Sequence, residues 1–399
     1  MSRRTTLLVL LGIVVVTLNL RPAIVAVSPL LDELRDDTGL SSAGASLLTT
    51  LPVLCFGALA PLAPRLSRRF GSEAVIAGAM AVLAAGILVR LVPGVAPLLA
   101  GTVVVGGAIA VTNVLVPTVV KRDLAHIAGT AMGVYSMTLT AGAALAAGIT
   151  VPVEDAVGTD WRGALALWAC LPVAALLAWA PVLRLARRGP ARAVHVGVGG
   201  LWRDRTAWAV ALYMGLGSLQ FYTATAWVPT LLGDDGVDDA RAGLLLSYMN
   251  VIGAAAALVV PILAGRMRRQ SSLVVGLAVL WAVTWAGILA DAGGGAWLWM
   301  TTMGAAQGGG IALALTLTVL RAPDTPHAVE LSGMAQTVGY LVCAVGPLAV
   351  GALHDATGGW TVPVVVLLGF LAPWTAAGVV AGRPRLVRGS AAEPARDAG

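Results

Sequence analysis

Twelve apolar runs dominate this chain of 399 residues, and each is about long enough to cross a bilayer. They cover 7–31, 43–64, 73–92, 96–120, 127–152, 162–183, 207–232, 242–265, 272–290, 296–320, 328–352 and 361–381. In lipid, every backbone amide and carbonyl must be satisfied within the protein, which leaves helices or a closed barrel. These runs are too long and too evenly apolar for barrel strands. Composition agrees. Hydrophobic residues make up 58% of the chain and charged residues 12%, against roughly 25% charged in soluble domains. The expected class is an all-α membrane protein of twelve transmembrane helices.

The N-terminus, MSRRTTLLVLLGIVVV, resembles a secretion signal, but no small-residue cleavage site follows and the apolar run continues past Arg21. It is read as a retained first helix. The cysteines Cys55, Cys170 and Cys343 all fall inside apolar runs and form no CxxC or CxxH pair. They are expected to be free thiols packed as small hydrophobes, with no metal site.

The distribution of charge sets an orientation. With both termini placed in the cytoplasm, 21 of the 26 Lys and Arg lie on that side, four lie outside, and Arg21 lies within the first run. The asymmetry follows the positive-inside rule. The net charge of +6 is therefore a topology signal beside an anionic leaflet, and it gives no reason to invoke nucleic acid. The expected location is the cell membrane, multi-pass, with both ends cytoplasmic.

The longest polar break, about 184–206, divides the runs into two sets of six, and the sequence repeats across it. APLAPRLSRRF (60–70) resembles VPILAGRMRRQ (260–270), and GGAIA (106–110) resembles GGGIA (308–312). His126 and His327 both open a run on the inner side. A near-constant shift of about 200 residues points to duplicated halves. The expected division is an N-terminal six-helix unit over 1–190, a cytoplasmic linker over 191–206, and a C-terminal six-helix unit with a short tail over 207–399. Such parallel halves describe the major facilitator architecture.

Specific stretches carry a resemblance to that superfamily. The segment PRLSRRFG (64–71) is similar to its Gly-x-Leu-x-Asp-Arg-x-Gly signature: Leu66, Arg69 and Gly71 fit, Pro64 stands for the Gly, and Arg68 stands for the Asp. In the family that Asp takes part in a charge contact holding the inner gate shut. LNLRPAIVAVSPLLDEL (18–34), SLLTTLPVLCFGALAPLAPRLSRRFG (46–71), TNVLVPTVVKRD (112–123) and YSMTLTAGAALAA (135–147) resemble the branch of cyanate permeases and 2-nitroimidazole transporters. The resemblance implies a secondary transporter working by alternating access, with helices 1, 2, 4, 5, 7, 8, 10 and 11 around a central cavity. It also implies gating roles for Pro22, Arg68, Arg69, Arg268 and Arg269. No cofactor is called for, and one chain suffices as a monomer.

Arg21 is the leading candidate for the substrate site. A charge at mid-membrane costs about 2.5–3.5 kcal/mol on insertion scales, and Arg cannot shed its proton. All 20 acidic residues lie in loops or near the ends of runs, so no mid-span carboxylate is available to pair with it. An anionic or electron-rich ligand would meet that need. A plainer reading is an Arg that bonds helix carbonyls and water to hold two helices together. Pro22 removes a donor and clashes with the Leu18 carbonyl, so helix 1 is expected to kink or loosen there. Helical spacing puts Thr17, Arg21 and Ser28 on one face and turns Asn19 toward a neighbouring helix.

The other candidate substrate contacts are Asn113, Tyr135, Gln220, Thr223, Trp227, Asn250, Gln307, Gln336 and Tyr340; Tyr213, Thr138 and Cys343 lie on the same polar faces. Amide and hydroxyl groups around an Arg suit a small planar anion or a nitro group. Each alone is as well explained by bonds between helices. His126 and His327 are candidates for proton coupling, with protons the candidate coupling ion. His195 and His354 build no metal site. The chain has no GxxxxGK[ST] loop, HExxH or GxSxG, so neither ATP hydrolysis nor catalysis is expected. Three functions remain open: a transporter of a small anionic or nitro-bearing solute, an exporter of larger apolar compounds, and a membrane-embedded sensor.

Overall fold

In the computed structural model, residues 3–40, 42–188, 198–388 and 390–391 are described. His195 and positions 191–197 of the expected linker lie outside the described residues. The first half runs through α1 (Arg3–Leu18), α2 (Pro22–Val25), α3 (Leu31–Thr38), α4 (Ser42–Leu59), α5 (Leu62–Phe70), α6 (Ser72–Val89), α7 (Val95–Asp123), α8 (Ala128–Val157), α9 (Trp161–Leu167) and α10 (Cys170–Arg188). The second half comprises α11 (Arg205–Asp234), α12 (Asp239–Arg266), α13 (Ser271–Ala290), α14 (Ala296–Leu320), α15 (Thr325–Cys343), α16 (Val345–Thr357) and α17 (Thr361–Ala381). Two short strands, β1 (Val198–Gly199) and β2 (Ser390–Ala391), pair antiparallel and tie the segment before α11 to the segment after α17.

The protein is an all-α, multi-pass integral membrane protein. Among the described residues, ten helical segments are long and apolar enough to cross a membrane. An eleventh arises if the bent pair Thr50–Leu59 and Leu62–Phe70 is one span. Their 58° bend falls at Ala60–Pro61, where proline removes a helical hydrogen bond. The remaining expected span corresponds to α11. It is 30 residues long, but Ser218, Gln220, Tyr222, Thr223 and Thr225 dilute its apolar character.

Close helix packing rests on glycine. A Cβ on Gly129 of α8 would stand 2.5 Å from the Pro261 carbonyl oxygen of α12, and one on Gly133 would stand 2.6 Å from that of Leu258. These contacts join the first half to the second at the arginine-rich end. The repeated glycine pairs serve matching roles: Gly106 of α7 packs on Pro52 and Cys55 of α4, and Gly308 of α14 packs on Gly253 of α12. Gly71, the last residue of the signature-like segment, turns the chain from α5 into α6 at φ +81°, a conformation open mainly to glycine.

Large aromatic side chains fill the interior and hand their polar tips to backbone. Trp179 donates to the Glu73 carbonyl at 3.0 Å, and Trp374 donates to that of Tyr213 at 3.0 Å while stacking on its ring. Cys55 and Cys343 are buried, as their setting suggests. Cys170 is not: it lies on the exposed side of α10. An apolar run surrounded by lipid does not distinguish the buried side of a helix from the outer one.

Adding one carbon at Gly133 places it against backbone that cannot yield. Gly133→Ala is expected to lower the thermal midpoint of the purified protein, with an overpacking cost of about 1–3 kcal/mol. Gly148→Ala, with nothing within 4 Å of the added atom, is expected to leave it unchanged. Parallel melts of the two variants check this.

Candidate functional site

The proline acts on helix 1 as its chemistry requires. α1 ends at Leu18, and the chain passes through a turn over 19–21 before α2 begins at Pro22. The amides of Asn19 and Leu20 tighten onto Val16 and Thr17, three residues back. The carbonyl freed at Leu18 lies against Gly142 of α8, where a Cβ would come within 2.5 Å. A second carbonyl is freed at Ala23, because the Val27 amide bonds Ile24 instead. Arg90, at the far end of α6, donates from Nη1 to Ala23 at 2.5 Å. Arg90 is 1% exposed, and its Nε and Nη2 have no partner.

Arg21 sits in this break, enclosed by helices of both halves yet retaining some accessible surface. Its guanidinium carbon lies 5.8 Å from the centre of the Phe56 ring of α4. Tyr222 of α11, Tyr340 of α15 and Tyr135 of α8 are its nearest polar neighbours. Tyr135 in turn donates to Asn113 Oδ1 of α7 at 3.3 Å, leaving the buried Nδ2 of Asn113 without a partner. The Phe56 and Tyr340 rings are 5.0 Å apart. Among the described residues, no carboxylate lies within ion-pair distance of Arg21. The cluster is thus a fixed cation walled by four aromatic rings, with phenol oxygens as neutral acceptors.

Arg21, Asn113, Tyr135 and Tyr340 therefore come together, with Cys343 near the same charge. Phe56 and Tyr222 join them and were not among the residues picked out by sequence. The other candidates lie elsewhere or are bonded locally. Gln220 donates to the Leu367 carbonyl at 2.8 Å and accepts from Trp285 at 3.2 Å, so it binds α11 to α17 and α13. Thr223 and Trp227 border an apolar crevice of about 10 Å³, and Trp227 donates to the Pro347 carbonyl. Asn250 is exposed and returns to Leu246. Gln336 donates to Ser332 Oγ. Gln307 packs near Gly253 with its buried Oε1 unpartnered. The hydroxyl of Thr17 returns to Val14, and the break leaves Ser28 exposed, so the expected face of helix 1 is not kept. Asn19 donates to Val15 of its own helix, not to a neighbouring one.

At the arginine-rich end, Arg68 of α5 meets Glu330 of α15 at 2.5 Å. Each side chain is about one-third exposed or less, and the pair bridges the two halves. Arg122 pairs with Glu73, 1% exposed, at 2.6 Å, tying α6 to α7. Arg69 lies over the Phe70 ring, while Arg268 and Arg269 are exposed. Asp324 caps the helix that carries His327: its Oδ1 accepts from the His327 amide at 3.0 Å and approaches His327 Nδ1 at 2.7 Å. Burial works against ionisation of Asp324, but these bonds to His327 outweigh it and hold the carboxyl below its ordinary range. His126 is exposed just before α8. No group of His, Cys, Asp or Glu suited to a metal ion occurs among the described residues.

Comparison with known proteins gives the family. Residues 9–347 match the model of the Major Facilitator Superfamily. The chain is 37% identical over 393 residues to the 2-nitroimidazole transporter of Escherichia coli strain K12, covering 97% of this chain and 98% of that one. It is 29% identical over 359 residues to the cyanate transport protein CynX of the same organism, covering 88% and 91%. The fold matches that of the proton:xylose symporter XylE with a TM-score of 0.73 at 14% identity, over 95% of this chain and 94% of that one. Fold and homology are those of a transporter, not of an enzyme. The chain belongs to the major facilitator superfamily and is homologous to its branch of cyanate and 2-nitroimidazole transporters.

Proposed function

We propose that this protein is a secondary transporter that moves a small, planar, anionic or nitro-bearing solute by alternating access, with Arg21 as its anchor. The observation that carries this reading is the uncompensated guanidinium between the two halves. The phenol oxygens beside it are neutral acceptors and bring no negative charge. A carboxylate, cyanate or nitro oxygen entering the cluster would complete it through charge-assisted bonds. The names of the homologous transporters fit either an anion or a nitroheterocycle.

In this reading the spans are twelve, in six-helix units over 1–190 and 207–399. The matched packing of Gly106 and Gly308 supports the duplication. The charge asymmetry assigns the arginine-rich end and both termini to the cytoplasm. The contacts of Gly129, Gly133 and Arg68–Glu330 then close the cytoplasmic end, and Pro22 supplies the broken helix at the site. Protons remain the candidate coupling ion, and a single chain forms the working unit.

Uptake into proteoliposomes tests the anchor, using 2-nitroimidazole, cyanate and small aromatic carboxylates with and without an imposed pH gradient. Removing a charge-assisted bond costs about 1.5–3 kcal/mol, so Arg21→Gln is expected to reduce kcat/KM by about 10- to 100-fold. Arg21→Lys keeps the charge without the planar fork and should fall between Gln and wild type. Unchanged transport in both variants would falsify the anchor role.

Tyr222→Phe removes the hydroxyl beside the guanidinium and leaves the ring. Its expected effect is a KM raised by about two- to tenfold, the range of one ordinary hydrogen bond. Gln220→Leu, whose amide joins helices at a distance from Arg21, should lower the thermal midpoint and leave KM near wild type.

The cross-half ion pair predicts a charge-reversal rescue. Exposed pairs contribute about 0.2–1 kcal/mol, enough to change the fraction closed by up to about fivefold. Arg68→Glu is expected to speed maleimide labelling of buried Cys343, in a background lacking Cys55 and Cys170, by about two- to fivefold. Arg68→Glu combined with Glu330→Arg should restore slow labelling.

A further inference from the structure

Most internal arginines of this protein have defined partners. Arg68 pairs with Glu330, Arg122 with Glu73, and Arg162 with Asp37 at 2.8 Å. Arg321 is buried and donates to the Ala381 carbonyl at 2.6 Å and to Gln270. Three other arginines do not follow this pattern. Arg269, before α13, and Arg383 and Arg385, after α17, converge with Ser271, Val379 and Pro384 on a cavity of about 520 Å³. Each of the three side chains is exposed. Among the described residues, none has a carboxylate within ion-pair distance.

The walls of this cavity are fixed. The Gln270 amide donates to the Gly382 carbonyl at 2.9 Å, and Ser271 Oγ donates to that of Val379 at 3.0 Å. Gly382 permits this approach, because a Cβ there would stand 2.6 Å from the Ser271 nitrogen. The two helix ends are thus pinned together, and three exposed arginines line one space beside them. Like charges brought together there repel one another, and an anion between them relieves that repulsion.

The surface beside the cavity identifies the anion's other end. From Ser271, steps of four residues along α13 reach Val275, Val279 and Val283, which are 46%, 54% and 42% exposed. In a membrane-spanning helix, such a column faces acyl chains. A basic cavity at the interface, continuous with an apolar column, matches an anionic phospholipid in both charge and shape.

We propose that Arg269, Arg383 and Arg385 form a binding site for the phosphate of an anionic phospholipid, whose acyl chains lie along the valine face of α13. Arginine suits this role because its planar fork binds phosphate through paired bonds. The site is separate from Arg21 and does not depend on the identity of the transported solute.

The test uses the full chain purified in detergent, with phosphatidylglycerol, phosphatidylcholine and inorganic phosphate as separate probes. Native mass spectrometry counts retained lipid, and thermal melts report stabilisation. Wild type is expected to retain phosphatidylglycerol in preference to phosphatidylcholine. The triple variant Arg269→Gln, Arg383→Gln, Arg385→Gln should bind it at least about tenfold more weakly, with a folded melting transition intact. A control triple, Arg184→Gln, Arg203→Gln, Arg266→Gln, removes equal charge from the same end outside the cavity and should keep wild-type retention. Equal loss in both triples would reduce the effect to bulk charge and overturn the site. Stabilisation by inorganic phosphate without any preference for phosphatidylglycerol would overturn the lipid assignment.

Discussion

The guanidinium of Arg21 keeps its charge at any relevant pH, and a bilayer core charges heavily for an ion left facing lipid. Much of the local architecture follows from that pressure. The residue is held at the junction of the two halves, away from the outer faces of the helices. The hydroxyls of Tyr222 and Tyr340 lie beside it, and its face lies toward Phe56. These neighbours lower the cost of keeping the charge there but add no opposite charge. A carboxylate would have produced a stable internal ion pair and removed the local demand for an anion. The absence of one among the described residues leaves the charge open to an anionic ligand.

Arg90 makes the contrast within the same protein. Among the described residues it too is a buried guanidinium with no carboxylate within ion-pair distance. It differs in donating to a backbone carbonyl that the broken helix leaves free at Ala23. Pro22 thus creates two consequences at once. It opens the backbone beside Arg21, and it exposes carbonyls that need donors or close packing. Gly142 accommodates one and Arg90 bonds the other. Arg90 is therefore the counterpart of the plainer reading considered for Arg21, a charge that binds helices together.

The membrane class, the long helices and the break at Pro22 were legible in the sequence because each follows from strong local physics. Apolar length, the missing proline donor and the absence of mid-span acids need no knowledge of neighbours. The face of α11 was not legible. Gln220, Thr223 and Trp227 repeat at helical spacing, yet Gln220 and Trp227 serve contacts to Leu367, Trp285 and Pro347, and the buried Thr223 hydroxyl has no partner. Tyr222, one residue from Thr223, reaches Arg21 instead. In a membrane helix a polar face can mark a joint with another helix as readily as a cavity, because either setting satisfies a polar group better than lipid does. Phe56 was missed for a related reason. An aromatic ring in an apolar run carries no signal until a cation is found over it. Glu330 was counted only as an acid near the end of a run, and its meaning appears when Arg68 is seen to replace the usual acid across from it.

That replacement also connects the site to the closed end. Two elements each contribute once to both places. The α4–α5 segment supplies Phe56 to the site and Arg68 to the ion pair. α15 supplies Tyr340 to the site and Glu330 to the pair, about 15 Å apart along the helix axis. The rings of Phe56 and Tyr340 are 5.0 Å apart, and the charges of Arg68 and Glu330 meet at 2.5 Å. α15 is a single helix held at both positions, so one contact cannot change freely without affecting the other. In the proposed cycle, a solute drawn between Arg21 and Tyr340 would alter the approach of α15 to α4 and so load the ion pair. Coupling of this kind needs no chain of intervening residues, only two packed elements with two alternative arrangements. The reversed sign of the charge at Arg68 leaves that mechanics intact, since what the closed end requires is an opposite charge on α15, and Glu330 provides it.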